Sequence, residues 1–201
     1  MKSDQTRLDN KFILDMVRPG SSVLDLGCGE GELLSVLLRE KQCRVQGIEI
    51  DEQAVYKCVA RGVSVLQGDA DSDLPDYGDR SFDYVVLSQS FQQVKKPDTV
   101  LREALRVGKE VIVSFPNFAN LSARWQMFFK GTTPVTPSLP YEWHDTPNLH
   151  FLSITDFIVY CRKRHIKIKK AAFTGKTRRV TAFPNVFAQT GIFLLSNGEG
   201  L

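Results

Sequence analysis

Between Val23 and Phe115, short runs of Val, Ile and Leu alternate with segments of helical period: VLDL then GELLSVLLREK, VQGIEI then DEQAVYKCVARG, VSVLQGD, FDYVVLS then PDTVLREALRVG, and EVIVSF. A strand that is apolar at nearly every position has no wet face, so both of its faces must be covered. Where amphipathic helices follow such strands, both needs are met by a mostly parallel sheet with helices on both faces. The expected class is α/β, doubly wound and Rossmann-like. At 201 residues and 42% apolar, the chain supplies one well-buried core and little material for a second. Residues 1–201 are therefore expected to form a single domain.

The rhythm stops after Phe115. Residues 116–150 hold five of the nine prolines together with Trp125, Phe128, Phe129, Tyr141 and Trp143. That composition is poor for a regular strand and suits an ordered lid, or an insertion that meets an acceptor or a partner. The alternation resumes with SITDFIVYCRKRH, a helix that Ser153 and Asp156 can cap. A strand around Ile166 to Phe173 and a last apolar run, VFAQTGIFLLS, follow.

Several classes are disfavoured. No apolar run approaches the roughly 20 residues of a membrane span, and the polar start MKSDQTRLDNKF lacks a signal-peptide core. A soluble, cytoplasmic protein is expected. Cys28, Cys43, Cys58 and Cys161 form no Cys-x-x-Cys pair, so neither a metal site nor a disulfide framework is indicated. GKT at 175–177 lacks the glycine that a P-loop needs five positions earlier, where Lys170 stands; it reads as a turn between the last two strands.

Charge is unevenly placed. Residues 157–201 carry nine Lys and Arg against one acid, a net of +8, whereas the first 156 carry 17 basic and 22 acidic residues, a net of −5. Such a basic segment is either a solvated face that suits a helix C-terminus or a surface for an acidic partner or anion. Nucleic acid is disfavoured. SQSFQQV after the fourth strand has neither the Asn/Asp-Pro-Pro-aromatic element of amino-group nucleic-acid methyltransferases nor the cysteine of cytosine-C5 enzymes.

The ligand signal lies at the end of the first strand. In VLDLGCGEGELL, Gly27, Gly29 and Gly31 follow Asp25 where the chain must turn sharply, and the next helix offers its unpaired N–H groups. Glu49, eighteen positions after Gly31, ends the second strand, from where a carboxylate can accept hydrogen bonds from both ribose hydroxyls. A nucleoside is expected. The spacing is Gly-x-Gly-x-Gly with Glu30 and Glu32 interleaved, and two carboxylates beside the loop would repel a pyrophosphate. A phosphate-free ligand bearing an ammonium suits such a loop better.

VLDLGCGEG, then GIEID, then GDA at 68–70 resembles the class I S-adenosylmethionine-dependent methyltransferases. The resemblance implies a sheet that is parallel apart from an antiparallel last strand. It also implies that Asp25 and the loop of Gly27, Cys28, Gly29 and Gly31 hold the methionine part of S-adenosyl-L-methionine or S-adenosyl-L-homocysteine. Glu49, with Ile50, would hold the ribose and Asp69, with Ala70, the adenine amino group. Ser88 or Gln89 would border the transferable methyl.

Over nearly the whole chain, the segments PGSSVLDLGCGEGELL, SFPNFANLSARWQMFFKG, TPVTPSLPYEWHDTPNLHFLS and FPNVFAQTGIFLLS are similar to the methionine biosynthesis protein MetW family. LPYEWHDTPNLHF is the part that generic methyltransferases do not share. This resemblance implies a role in methionine biosynthesis and action with homoserine O-acyltransferase, an α/β-hydrolase enzyme that makes O-acetyl- or O-succinylhomoserine. Gly-x-Ser-x-Gly does not occur here, so acyl chemistry would belong to the partner. Two roles stay open: an accessory subunit that senses the cofactor, or a methyltransferase acting on a small molecule by placing it in line with the methyl. For the second, Tyr141, His144 and His150 in the lid are the candidates for acceptor or base contacts, with Glu142 and Asp145 nearby.

Overall fold

Along the strand Phe82–Ser88, Tyr84 and Val86 join one buried cluster while Val85 and Leu87 join another. The period-2 geometry of a strand thus divides a continuous apolar run between two cores, one on each side of the sheet. The structure is a computed structural model that describes residues 4–198, with side chains from residue 8 onward.

Seven strands form one sheet: β1 Ser22–Leu26, β2 Arg44–Glu49, β3 Ser64–Gln67, β4 Phe82–Ser88, β5 Gly108–Pro116, β6 Ile166–Thr174 and β7 Thr190–Asn197. Their order is β3-β2-β1-β4-β5-β7-β6. The first five pair in parallel, and β7 runs antiparallel to both β5 and β6. The expected doubly wound class and the antiparallel last strand are both present.

The helices divide between the faces. On one side lie α1 Asp4–Met16, α2 Glu32–Lys41 and α3 Glu52–Ala60, which bring Ile13, Leu34, Leu37 and Cys58 to the cluster containing Val23, Val86, Ile112 and Leu194. On the other lie α4 Pro97–Val107 and α6 Ile154–Lys163, whose Leu101, Ala104, Phe157 and Cys161 pack on Leu24, Val85, Val113 and Phe193. Phe157 is in ring contact with both Phe115 and Phe193, with centroids 4.9 Å apart in each case. The α6 cap forms as its sequence predicts: the Ser153 hydroxyl accepts from the Asp156 amide, and the Asp156 carboxylate accepts from the Ser153 amide.

Three elements differ from the sequence expectation. Helix α1 was not anticipated, because its polar start conceals a narrow buried face of Asp9, Ile13 and Met16. GKT does form a turn between the last two strands, with the Gly175 amide donating to the Arg178 carbonyl at 2.8 Å and Thr174 bridged to Arg179, but the connection continues through 175–189 and contains the short helix α7 Pro184–Phe187. Val186 and Phe187 of the last apolar run therefore belong to α7, not to β7. The Pro-rich segment contains a short helix, α5 Leu121–Trp125, continued by one π turn, Gln126–Lys130. Asn120 caps α5 by accepting from the Ala123 amide.

Among the described residues, no helix is long and apolar enough to cross a membrane. Glu199, the one acid of the basic C-terminal segment, lies outside the described residues.

Candidate functional site

Four loops meet above the carboxyl ends of β1 to β4, where the strand order departs from β1 toward β2 on one side and toward β4 on the other. Open α/β sheets form a ligand crevice at such a switch point because neighbouring loops leave in opposite directions. The crevice here has a volume of about 420 Å3, within the roughly 300–1,000 Å3 of small-molecule sites. Its walls are Gly27 and Gly29 after β1, Glu49 and Ile50 at the end of β2, Asp69 to Asp71 after β3, and Gln89, Ser90, Gln93, Val94 and Lys95 after β4.

Two glycines let these walls approach. Gly29 has φ +54, and nothing lies within 4 Å of the place where a side chain would begin. Its backbone therefore faces open space in a conformation that residues with a Cβ rarely adopt. A Cβ at Gly27 would stand 3.0 Å from that of Ser90. The Ser90 hydroxyl donates to the Leu26 carbonyl at 2.7 Å, drawing the loop after β4 against the loop after β1.

Glu49 and Asp71 fix the remaining walls. The Glu49 carboxylate accepts from the amides of Gly29 at 2.7 Å, Ile50 at 2.9 Å and Asp51 at 3.0 Å. It joins β2 to the glycine loop while staying at the crevice surface. Asp71 accepts from the amides of Lys95 and Lys96 at 2.9 and 3.0 Å, which binds the third loop to the fourth. Gln89 holds a left-handed backbone, φ 59, and its amide is shared between the carbonyl and the hydroxyl of Ser114. A non-glycine residue in that region persists only where its surroundings over-determine it, and such positions gather at functional sites.

The residues expected to touch a ligand separate into two groups. Gly27, Gly29, Glu49, Ile50, Asp69, Ala70 and Gln89 line the crevice; Asp25, Cys28, Gly31 and Ser88 do not. Asp25 is 2% exposed and lies between Gly47 and Val86 in the sheet, with its Oδ1 lacking a hydrogen-bond partner among the described residues. Burial, and then the Glu49 charge, push its carboxyl up to about 7. A buried acceptor without a donor is costly, and an ammonium reaching it would remove that cost. Cys28 turns inward, its Sγ 3.8 Å from that of Cys58, and burial raises both thiols above their ordinary range. A Cβ at Gly31 would stand 2.8 Å from the Cys58 Sγ, so this glycine permits α2 to start close against α3. The Ser88 hydroxyl faces that of Ser114 at 3.4 Å.

The carboxylates that seemed hostile to phosphate are partnered. Glu30 is paired with Lys57 at 2.8 Å and Arg61 at 3.3 Å, and Glu32 lies 3.8 Å from Arg61. Part of the negative charge ascribed to the loop is offset from α3, which weakens charge as the reason to reject a pyrophosphate. The absence of the third dinucleotide-type glycine spacing is unaffected.

Of the lid candidates, Tyr141 and His144 are exposed and outside the crevice lining, and His144 lies 3.6 Å from Glu142. His150 is different. Its Nε2–H donates to the Val94 carbonyl at 3.0 Å, and the amides of Leu149 and His150 both donate to the Gln92 carbonyl. The end of the family-specific stretch is thus strapped to the loop that walls the crevice. Gln92 is buried beneath this strap, with its Oε1 lacking a partner among the described residues.

Sequence reasoning missed Asp71, Ser90, Gln93, Val94 and Lys95. The usable signal was the polar stretch SQSFQQVKK leaving β4 at the same end of the sheet as the glycine loop, since loops at that end share one crevice.

A family model described as methionine biosynthesis protein MetW matches residues 7–195. The bifunctional methionine biosynthesis protein MetXA/MetW of Rhodopirellula baltica is 33% identical over 198 residues, which cover 92% of this chain and 32% of that protein. The chain spans about a third of the length of the curated relatives it matches. Among solved structures, a SAM-dependent methyltransferase of Thermotoga maritima, described as a possible histamine N-methyltransferase, superposes with TM-score 0.67 at 19% identity, covering 96% of this chain and 89% of that one. A SAM-dependent methyltransferase of Archaeoglobus fulgidus gives 0.67 at 16%, covering 95% and 91%. At these identities the structural likeness shows the fold alone.

Proposed function

The chain belongs to the methionine biosynthesis protein MetW family, and from that premise we propose that it serves methionine biosynthesis as a cofactor-binding companion of a homoserine O-acyltransferase. The observation that carries the reading is the Rhodopirellula baltica relative, which bears a MetXA name beside the MetW name on one polypeptide. Two activities fused in one chain are held at high effective concentration, and separate chains with a shared task keep that proximity by binding.

The cofactor is S-adenosyl-L-methionine or its product S-adenosyl-L-homocysteine. The Glu49 carboxylate is at the crevice surface for the ribose hydroxyls, Asp69 for the adenine amino group, and the Gly29 backbone for close approach. Asp25 Oδ1, which has no partner among the described residues, complements the ammonium of the methionine part. When bound, S-adenosylmethionine supplies a sulfonium and its electrophilic methyl. Because this ligand is made from methionine, occupancy of the crevice reports on the end product, and the proposed role is to pass that report to the acyltransferase.

Reconstitution tests the reading. The purified chain and a homoserine O-acyltransferase are expected to co-purify, and the acylation rate is expected to change on adding the chain and again on adding S-adenosylmethionine. An acyltransferase that is fully active alone and indifferent to the chain would overturn the proposal. Transfer of a labelled methyl to a small molecule, with no effect on acylation, would replace it with a methyltransferase function.

A further inference from the structure

Beside the crevice, at the end of the sheet where β5 stops and β7 starts, lies a second concavity that the cofactor reading does not use. One wall is α5 with its π turn, the other is α7, and the volume between them is about 820 Å3. The first wall carries Leu121 and Trp125, 51% and 57% exposed, and beyond the lining Phe128 and Phe129 are 82% and 61% exposed. The three rings touch in sequence, with Trp125 and Phe129 centroids 4.0 Å apart and those of Phe128 and Phe129 4.8 Å apart. Phe187 on the facing wall is 53% exposed. Rings this open cannot enclose a small molecule, since small-ligand sites bury roughly 70–90% of the ligand surface. Contiguous exposed aromatic surface marks a macromolecular contact.

The groove is built to stay open. Asn117, fully buried at the end of β5, donates through Nδ2 to the carbonyls of Asn185 at 3.1 Å and Ala188 at 2.9 Å, holding the α7 wall. The Asn117 carbonyl accepts from Asn120 Nδ2 at 2.7 Å, holding the cap of the α5 wall. Gln126 exchanges two hydrogen bonds with the Val135 backbone, which fixes the rim. Pre-ordered walls lower the entropy cost of binding. Leu121, Trp125 and Phe187 stand beside Ser122, Gln126 and Lys130 in the lining, so the occupant is apolar at its centre and polar at its rim, the pattern of an interface anchor desolvated on docking.

We infer that this aromatic groove is the face on which the chain docks its homoserine O-acyltransferase, an inference that rests on the partnership proposed above. The relative that keeps this domain within a chain about three times as long, under a joint MetXA/MetW name, supplies the occupant. A domain that accompanies an acyltransferase needs a surface for it, and separate chains must supply by non-covalent area what the fusion supplies by a linker. The groove stands at the same sheet edge as the crevice: the amide of Asn117 donates to the Gln189 carbonyl at the β5–β7 end, and that of Gln89 to the Ser114 carbonyl one strand away. A partner seated there is next to the loop that the cofactor touches.

The test uses two variants on opposite walls, Trp125→Ser and Phe187→Ser, both at exposed lining positions. Each is expected to weaken binding to the purified acyltransferase by about tenfold or more, the loss typical of an interface anchor, with calorimetric S-adenosylhomocysteine affinity unchanged as proof of fold. Both variants binding the acyltransferase like wild type would overturn the inference while leaving the partnership intact. Loss of self-association in ultracentrifugation with acyltransferase affinity retained would also overturn it, giving the groove to a second copy of this chain. A wild-type chain that does not bind the acyltransferase would instead sink the partnership itself.

Discussion

Glu49 is the residue on which most of the crevice converges. Its carboxylate collects three backbone amides from two loops while remaining at the surface a ribose would meet. On the cofactor reading proposed above, Glu49→Ala removes a ligand partner, and it leaves the Gly29 amide without its acceptor. S-adenosylhomocysteine affinity is expected to fall by on the order of 1–3 kcal/mol, about 5- to 150-fold. Calorimetric titration checks this, and normal binding by the variant would remove Glu49 from the site. The chain positions of Glu49, Gly29 and Asp69 were legible because a strand end and the loop after it are marked by local sequence. The inward turn of Asp25, Cys28 and Gly31 was not. Whether a side chain enters the crevice or the core depends on strand parity and on what packs behind it, here Gly47, Val86 and Cys58.

At the scale of elements, α1 shows how a short buried polar contact can fix a helix whose sequence looks soluble. Asp9 is buried against β6 and β7, and its Oδ1 accepts from the Thr174 hydroxyl at 2.5 Å. Burial dominates over the threonine hydrogen bonds and pushes the carboxyl up from 3.8 to about 6. Below pH 4 it is protonated folded and unfolded alike, and its contribution is complete; as pH rises through 6 the folded state must ionise against burial, and the contribution is lost. Asp9→Asn keeps an acceptor for Thr174 and cannot ionise. Its stability relative to wild type is expected to climb between pH 4 and 6 and then level, by on the order of 2–3 kcal/mol, as read by denaturant unfolding at several pH values. A flat difference would show that Asp9 does not titrate with α1 docking. The basic segment also gains a structural account. Lys167, Lys169 and Lys170 lie on β6, the outermost strand, where charge opposes edge-to-edge pairing. Lys169 pairs with Glu110, Arg164 with Asp98, and Arg179 stacks over Phe12.

At the scale of the molecule, the crevice draws on loops after four strands, so a ligand bound there touches the parts of the chain that the parallel sheet holds together. Binding to the folded state alone is expected to add about 2.7 kcal/mol to unfolding when S-adenosylhomocysteine is at about 100 times its dissociation constant. Denaturant titration with and without ligand measures this, and no change at saturation would mean that the crevice does not take it. What the sequence determined by itself was the succession of buried strands and amphipathic helices, the glycine loop, the acid closing β2 and the family. Each of these is written in neighbouring residues, as a period, a turn or a motif. Only the tertiary structure decided that SQSFQQVKK walls the crevice, that His150 ties the Pro-rich segment to it, that Asp25 is buried with an oxygen unpartnered among the described residues, and that Trp125 is exposed across a groove from α7. Those facts join residues far apart in the chain, and the free energy that selects them comes from packing and desolvation across the sheet, which no local pattern encodes.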